Sequence, residues 1–175
     1  MGDSAQIVAH TLSSLAEVVY LRGRSAEAEP LLVEALAIER KFVPLGDVDA
    51  STILNVYGQV LNAEGRPKEA EPLLEEALRS RIDRLGPTHR KTLDTRRELG
   101  YSLLLEGRYP EAEQHLLQVY RDVASKDDVW SRRERQQTLR RLVELYRKEG
   151  RPEAAAKYRR EASRAGAYGR GVSFE

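Results

Sequence analysis

The chain has 175 residues, of which 41% are hydrophobic and 33% charged, a balance that fits one helix-rich domain and excludes a disordered polymer. It contains no cysteine, which excludes a disulfide framework and thiolate metal sites and fits a reducing compartment, so a cytoplasmic location is expected. The net charge of +1 is split unevenly, −5 over residues 1–87 and +6 over 88–175, an asymmetry that by itself selects no partner.

The first predicted helix covers 5–21. It begins within MGDSAQIVAH, which lacks the basic-then-apolar order of a signal peptide, and no apolar run approaches a membrane span, so no membrane association is expected. Gly23-Arg24 then makes a turn, and a second helix is predicted over 25–42 with Pro30 inside it. Pro44-Leu45-Gly46 stops that helix, and the pattern starts again: a helix over 48–63, a turn at Gly65-Arg66, and a helix over 67–84 with Pro72 inside it. Gly86-Pro87 breaks the chain before a third pair, 90–105 and 109–125, divided at Gly107-Arg108. Ser125 to Asp128 suit an N-cap for a fourth pair, 129–148 and 152–165, divided at Gly150-Arg151. The four Gly-Arg pairs are spaced by 42, 42 and 43 residues, the mark of a helical repeat.

Offsets from each glycine sharpen the repeat. Eight residues before it stand Leu15, Tyr57, Leu99 and Leu142, and seven before it Ala16, Gly58, Gly100 and Val143. Five residues after it stand Ala28, Ala70, Ala112 and Ala155, and nine after it Leu32, Leu74, Leu116 and then Arg159. Small residues at helical spacing let two helices approach while the leucines fill the seam, and the glycine ends the first helix by tolerating a left-handed backbone. Pro30 and Pro72 fall about one turn into their helices, where the carbonyls freed near Ala26 and Lys68 can reach water, so the proline cost is expected to be below that of a helix interior. Helix 152–165, with Lys157, Arg159, Arg160 and Arg164, reads as a polar cap.

The repeated Gly-Arg turn, the EAEPLL segments at 27–32 and 69–74, EAEQHL at 111–116 and the linker RLGPTHRKTL at 84–93 resemble tetratricopeptide repeats of the longer kinesin-light-chain-like type. The resemblance implies an all-α fold, a right-handed solenoid of four stacked helix-turn-helix motifs. It divides the chain into a single domain over 1–165, with repeats at about 5–46, 47–88, 89–128 and 129–165, and a flexible tail over 166–175. Repeats like these often accompany bacterial signalling enzymes such as protein kinases, and the Arg, Ala and Leu usage suits a bacterial source.

No catalytic pattern is found. His10, His89 and His115 are not spaced as metal ligands, and there is no HExxH, GxSxG, Walker loop or GxGxxG, so no enzyme activity, metal or cofactor is expected. His89 suits a helix cap, His115 lies on the second helix of the third repeat next to Leu116, and His10 reads as an ordinary surface residue. The best functional candidate is the groove lined by the first helix of each repeat. Its expected wall comprises Ser13, Asn55, Arg97 and Arg140 ten residues before the glycines. Six before come Glu17, Gln59, Tyr101 and Glu144, and three before come Tyr20, Asn62 and Arg147. Asparagine can bond a peptide backbone and arginine can grip a carboxylate, so the expected partner is a protein or peptide segment, preferably acidic, bound by a scaffold without catalysis. Arg97 pairing with Asp94 or Glu98, and Arg140 with Glu144, is the competing reading. Two further alternatives are a regulatory module beside a signalling enzyme, and a homodimer formed through Ile7, Leu15 and Val18 of the terminal repeat. The basic stretch 131–141 interleaves its arginines with Glu and Gln rather than aromatics, which argues against nucleic acid.

Overall fold

The computed structural model describes residues 2–42 and 48–167. Within them eight helices follow one another: α1 (Gly2–Leu21), α2 (Ser25–Phe42), α3 (Val48–Ala63), α4 (Pro67–Leu85), α5 (Arg90–Leu105), α6 (Tyr109–Ala124), α7 (Val129–Lys148) and α8 (Pro152–Ala167). Every helix falls within a few residues of its expected span. Among the described residues there is no strand. The Pro44-Leu45-Gly46 connection lies outside the described residues; of the tail expected over 166–175, Gly166 and Ala167 belong to α8 and the rest lies outside the described residues.

Consecutive helices pack as hairpins, α1 on α2, α3 on α4, α5 on α6 and α7 on α8. Each hairpin stacks on the next through its second helix, and α1, α3, α5 and α7 touch in sequence. The result is an α-solenoid in which every repeat meets only its neighbours. The glycine turns are alike: Gly23, Gly65, Gly107 and Gly150 have φ between 75° and 79°, the left-handed region that a side chain would strain. Asp128 caps α7 by accepting from the Ser131 amide at 3.1 Å, and His89 caps α5 by accepting from the Lys91 amide at 3.2 Å.

The seam between paired helices follows the small-large offsets. Leu32, Leu74 and Leu116 are fully buried, and a Cβ placed on Gly58 would lie 2.5 Å from Leu74 Cγ, so the close approach of α3 and α4 requires glycine there. In the fourth repeat Val143 takes the place of the small residue, and Arg159, which replaces the leucine, is exposed together with Lys157, Arg160 and Arg164. Helices α2 and α4 run unbroken through Pro30 and Pro72, and both prolines and the residues four before them, Ala26 and Lys68, face solvent.

The arginine of the Gly-Arg marker has a role that sequence spacing alone did not suggest. Arg66 donates to Glu69 of its own repeat (2.8 Å) and to Glu29 of the preceding repeat (2.9 Å). Arg108 does the same with Glu111 and Glu71, and Arg151 reaches back to Glu113 at 3.2 Å. The two glutamates of each EAE segment therefore serve different joints, the first within a repeat and the second between repeats. These arginines are between 35% and 48% exposed, so the ladder fixes register more than it adds stability.

Candidate functional site

The first helices of the four hairpins enclose a groove of about 710 Å³. Helix α1 contributes Glu17, Tyr20 and Leu21, and α3 contributes Thr52, Asn55, Val56 and Gln59. Helix α5 contributes Lys91, Asp94, Arg97 and Glu98, joined by Arg81 from α4, while α7 contributes Trp130, Arg133, Glu134, Gln137, Arg140 and Arg141. The lining moves along the helices from repeat to repeat. It uses the C-terminal end of α1, the middle of α3, and the N-terminal half of α5 and of α7, so the groove crosses the stack obliquely.

That obliquity sorts the expected residues. Glu17, Tyr20, Asn55, Gln59, Arg97 and Arg140 line the groove together. The other five stand elsewhere. Ser13 is buried at 3% exposure in the first repeat, and Asn62 is buried between repeats, where its amide bonds Ser102 Oγ (2.7 Å) and the Glu98 carbonyl (3.4 Å). Tyr101 lies under the Arg141 guanidinium, 3.3 Å from its ring centre. Glu144 pairs with Arg141 and Lys148, each at 3.4 Å, and Arg147 is exposed beside it. The expected pairing of Arg140 with Glu144 is therefore replaced by pairs to Arg141 and Lys148. Among the groove residues that fixed offsets missed, Lys91 stands at the start of α5, and Trp130, Arg133, Gln137 and Arg141 lie on the N-terminal side of α7 or beside Arg140. The single tryptophan of the chain is the signal that could have found the α7 residues.

The floor is a closed electrostatic unit. Arg97 is 6% exposed, and its Nε bonds Glu134 (2.5 Å), one Nη Glu98 (2.6 Å) and the other Asp94 (2.8 Å). Burial would lower the Arg97 pKa, but the three carboxylates outweigh it and hold the guanidinium firmly charged. Glu134 is held above the usual carboxylate range, chiefly by burial, against the pull of Arg97. Asn55 joins the unit by donating to Asp94 at 3.1 Å. The expected role for Arg97 as a grip on a ligand carboxylate needs correction, because all three sides of its fork are occupied by residues of α5 and α7.

Arg81 makes a second buried anchor. It donates to the Lys91 carbonyl (2.8 Å), Thr95 Oγ1 (2.5 Å) and Ser51 Oγ (3.3 Å), tying α3, α4 and α5 together. Its pKa is lowered, chiefly by burial. Tyr20 at the opposite end has its pKa raised, again chiefly by burial, so it stays a neutral hydroxyl.

The rim differs. Lys91, Arg133 and Arg140 are exposed, and among the described residues none has a carboxylate within ion-pair distance. Trp130, held by Leu93, Val119 and Val123, with the Arg90 guanidinium 5.4 Å from its ring centre, closes the same side. Glu17 is the only exposed acid among the described groove residues. The groove thus combines a floor whose charges are paired internally, one arginine shared by three carboxylates, with a basic, available rim on α5 and α7. No group of three or more metal-ligating side chains occurs among the described residues, and no helix there is long and apolar enough to cross a membrane.

Family models described as tetratricopeptide repeat match residues 8–43 and 49–122. Among solved structures, the chain is similar to BtubC (BKLC) from P. vanneervenii, with a TM-score of 0.83 and 18% identity over 98% of this chain and 68% of that one. It is also similar to the "Podosopora anserina putative kinesin light chain nearly identical TPR-like repeats". One structure of those repeats gives a TM-score of 0.75 at 22% identity, over 90% of this chain and 74% of that one. A second gives 0.62 at 18%, over 93% and 96%. At these identities the likeness is one of fold. No curated protein sequence matches the chain.

Proposed function

We propose, from the premise that the chain belongs to the tetratricopeptide repeat family, that it binds an acidic, extended peptide segment of another protein in the groove of α1, α3, α5 and α7. Arrays of this family are in general protein-interaction scaffolds. The observation that carries the acidic preference is the rim: Lys91, Arg133 and Arg140 face the groove, exposed and without a carboxylate partner among the described residues. An Asp or Glu side chain laid along α7 would complete them with charge-assisted bonds. Tyr20 and Trp130 supply flat apolar contact towards the two ends, and Gln59 offers an amide to the peptide backbone.

A selection from a random peptide library on the intact protein tests this, with an Arg133→Glu, Arg140→Glu double variant for counter-selection. The expected winners are rich in Asp and Glu and change the fluorescence of Trp130. Winners that bind both proteins equally would sink the reading.

A second reading, self-association through α1, is favoured by a separate observation. Leu15 and Val18 are 49% and 47% exposed, while Leu99 and Leu142, and Val60, Ser102 and Leu145, at the same repeat positions are buried. Val8 is 47% exposed where Thr92 is fully buried. The opposite end presents charged α8, so a head-to-tail stack would set apolar residues against arginines, whereas two α1 faces match each other. Sedimentation at about 100 µM should show a dimer that Leu15→Glu, Val18→Glu dissociates; a wild-type monomer at that concentration would end this reading.

A further inference from the structure

Repeat three breaks the repeat pattern at two packed positions, away from the groove. Eleven residues before the turn glycines stand Leu12, Leu54 and Leu139, but Arg96 in repeat three. Eight residues after them stand Leu31, Leu73 and Tyr158, but His115 in repeat three. In the other repeats these side chains belong to the hydrophobic clusters. Here an arginine and a histidine occupy the same ground, and both line a cavity of about 510 Å³ between α5 and α6 that shares no residue with the groove.

The cavity is short of acceptors. Arg96 Nε and His115 Nδ1 are buried and have no hydrogen-bond partner among the described residues. Burial lowers the His115 pKa, Arg96 lowers it further, and Glu111 opposes them. The nearby carboxylates already have donors. Glu111 is held by Arg108 (2.8 Å), Glu113 by Tyr146 (2.5 Å) and Arg151 (3.2 Å), and Asp122 by Gln118 (3.0 Å). Arg121, exposed at the mouth, gives one bond to Gln118 at 3.0 Å. Two arginines and a histidine therefore border one cavity whose surrounding acids are committed elsewhere. Such a set suits a compact multivalent anion, because each group can donate to a different oxygen.

The geometry points to an oxyanion site of the phosphate class between α5 and α6, formed by Arg96, His115 and Arg121. The site is independent of the peptide groove. An anion seated there meets the Arg96 guanidinium where it lines the cavity and reverses the electrostatic sign around His115, whose facing charges are otherwise Arg96 from α5 and Glu111, Glu113 and Arg121 from α6. Restoring the repeat residue with Arg96→Leu removes the site by returning to the packing of the other repeats, so this variant is expected to melt no lower than the wild type.

The test is imidazole NMR of the whole chain, which has three histidines assigned by single His→Gln variants, during titration with inorganic phosphate against chloride at constant ionic strength. The expected result is a saturable shift of His115 alone, its titration midpoint rising by about half a unit or more. The shift should be absent in Arg96→Leu and weakened several-fold in Arg121→Gln, with His10 and His89 unmoved. No saturable shift at His115, or the same shift in Arg96→Leu, overturns the site; equal movement of all three histidines does so too, by showing only an ionic effect.

Discussion

Arg97 and Arg140 occupy the same position in consecutive repeats, ten residues before the turn glycine, and both line the groove, yet their surroundings are opposite. Arg97 is 6% exposed and shared among Asp94, Glu98 and Glu134, whereas Arg140 is exposed and has no ion-pair partner among the described residues. The difference arises within the helix and from the next repeat: α5 places Asp94 and Glu98 beside Arg97, where α7 has Gln137 and Arg141 at the same offsets from its glycine. Helix α7 follows α5 and supplies Glu134, which closes over Arg97, while no further first helix follows α7 among the described residues to do the same for Arg140. One residue type at one repeat position can therefore be a joint between repeats or an exposed, unpaired cation, and the acids on its own helix and on the following repeat decide which.

The comparison breaks most sharply under Arg97→Ala. That change leaves three buried or half-buried carboxylates facing one another, and removing one partner of a buried ionic cluster costs about 3–5 kcal/mol. Urea denaturation should show this loss; a loss below about 1 kcal/mol would mean the cluster is not a joint.

Glu134→Gln is milder, about 1–3 kcal/mol, because it keeps the shape and one acceptor oxygen. It also has a pH signature. Burial raises the Glu134 pKa in the folded state above its ordinary value of 4.5, so the folded chain holds this proton more tightly than the unfolded one. The stabilising contribution of that proton is full below the unfolded pKa and is lost as pH rises through the folded value. The stability advantage of wild type over Glu134→Gln should accordingly shrink from pH 4.5 upward. An advantage that grows with pH would reverse the assignment of burial as the dominant cause.

Gly58→Ala tests the seam rather than the floor. Its Cβ would meet Leu74 Cγ at 2.5 Å, and overpacking of this kind costs about 1–3 kcal/mol. The smallest effect on stability is expected for Arg140→Glu, within about 0.5 kcal/mol, since the side chain is exposed and unpaired among the described residues.

Much of the fold was legible because each signal was local: a turn glycine, a small residue opposite a leucine, a capping Asp128 or His89. The groove was only half legible. Rows taken at fixed offsets assume a groove parallel to the stack, and the observed one is oblique, so Glu17 lines it while Glu144, at the same offset, does not. Ser13 and Arg140 show the reverse for the neighbouring row. The competing expectation that Arg97 pairs with Asp94 and Glu98 held, but those pairs are buried, and Glu134, 37 residues away in sequence, had no local signal. Sequence spacing shows which residues share a helix face; it does not show where the twist of the stack carries that face.

The most direct test of the peptide reading is the dissociation constant of an Asp/Glu-rich peptide of about ten residues, taken from the selection, followed through Trp130 fluorescence on wild type and Arg140→Glu. The account predicts at least a tenfold loss of affinity in a variant that melts like the wild type, with wild-type binding weakening as salt rises. Equal affinity in the two proteins would contradict it.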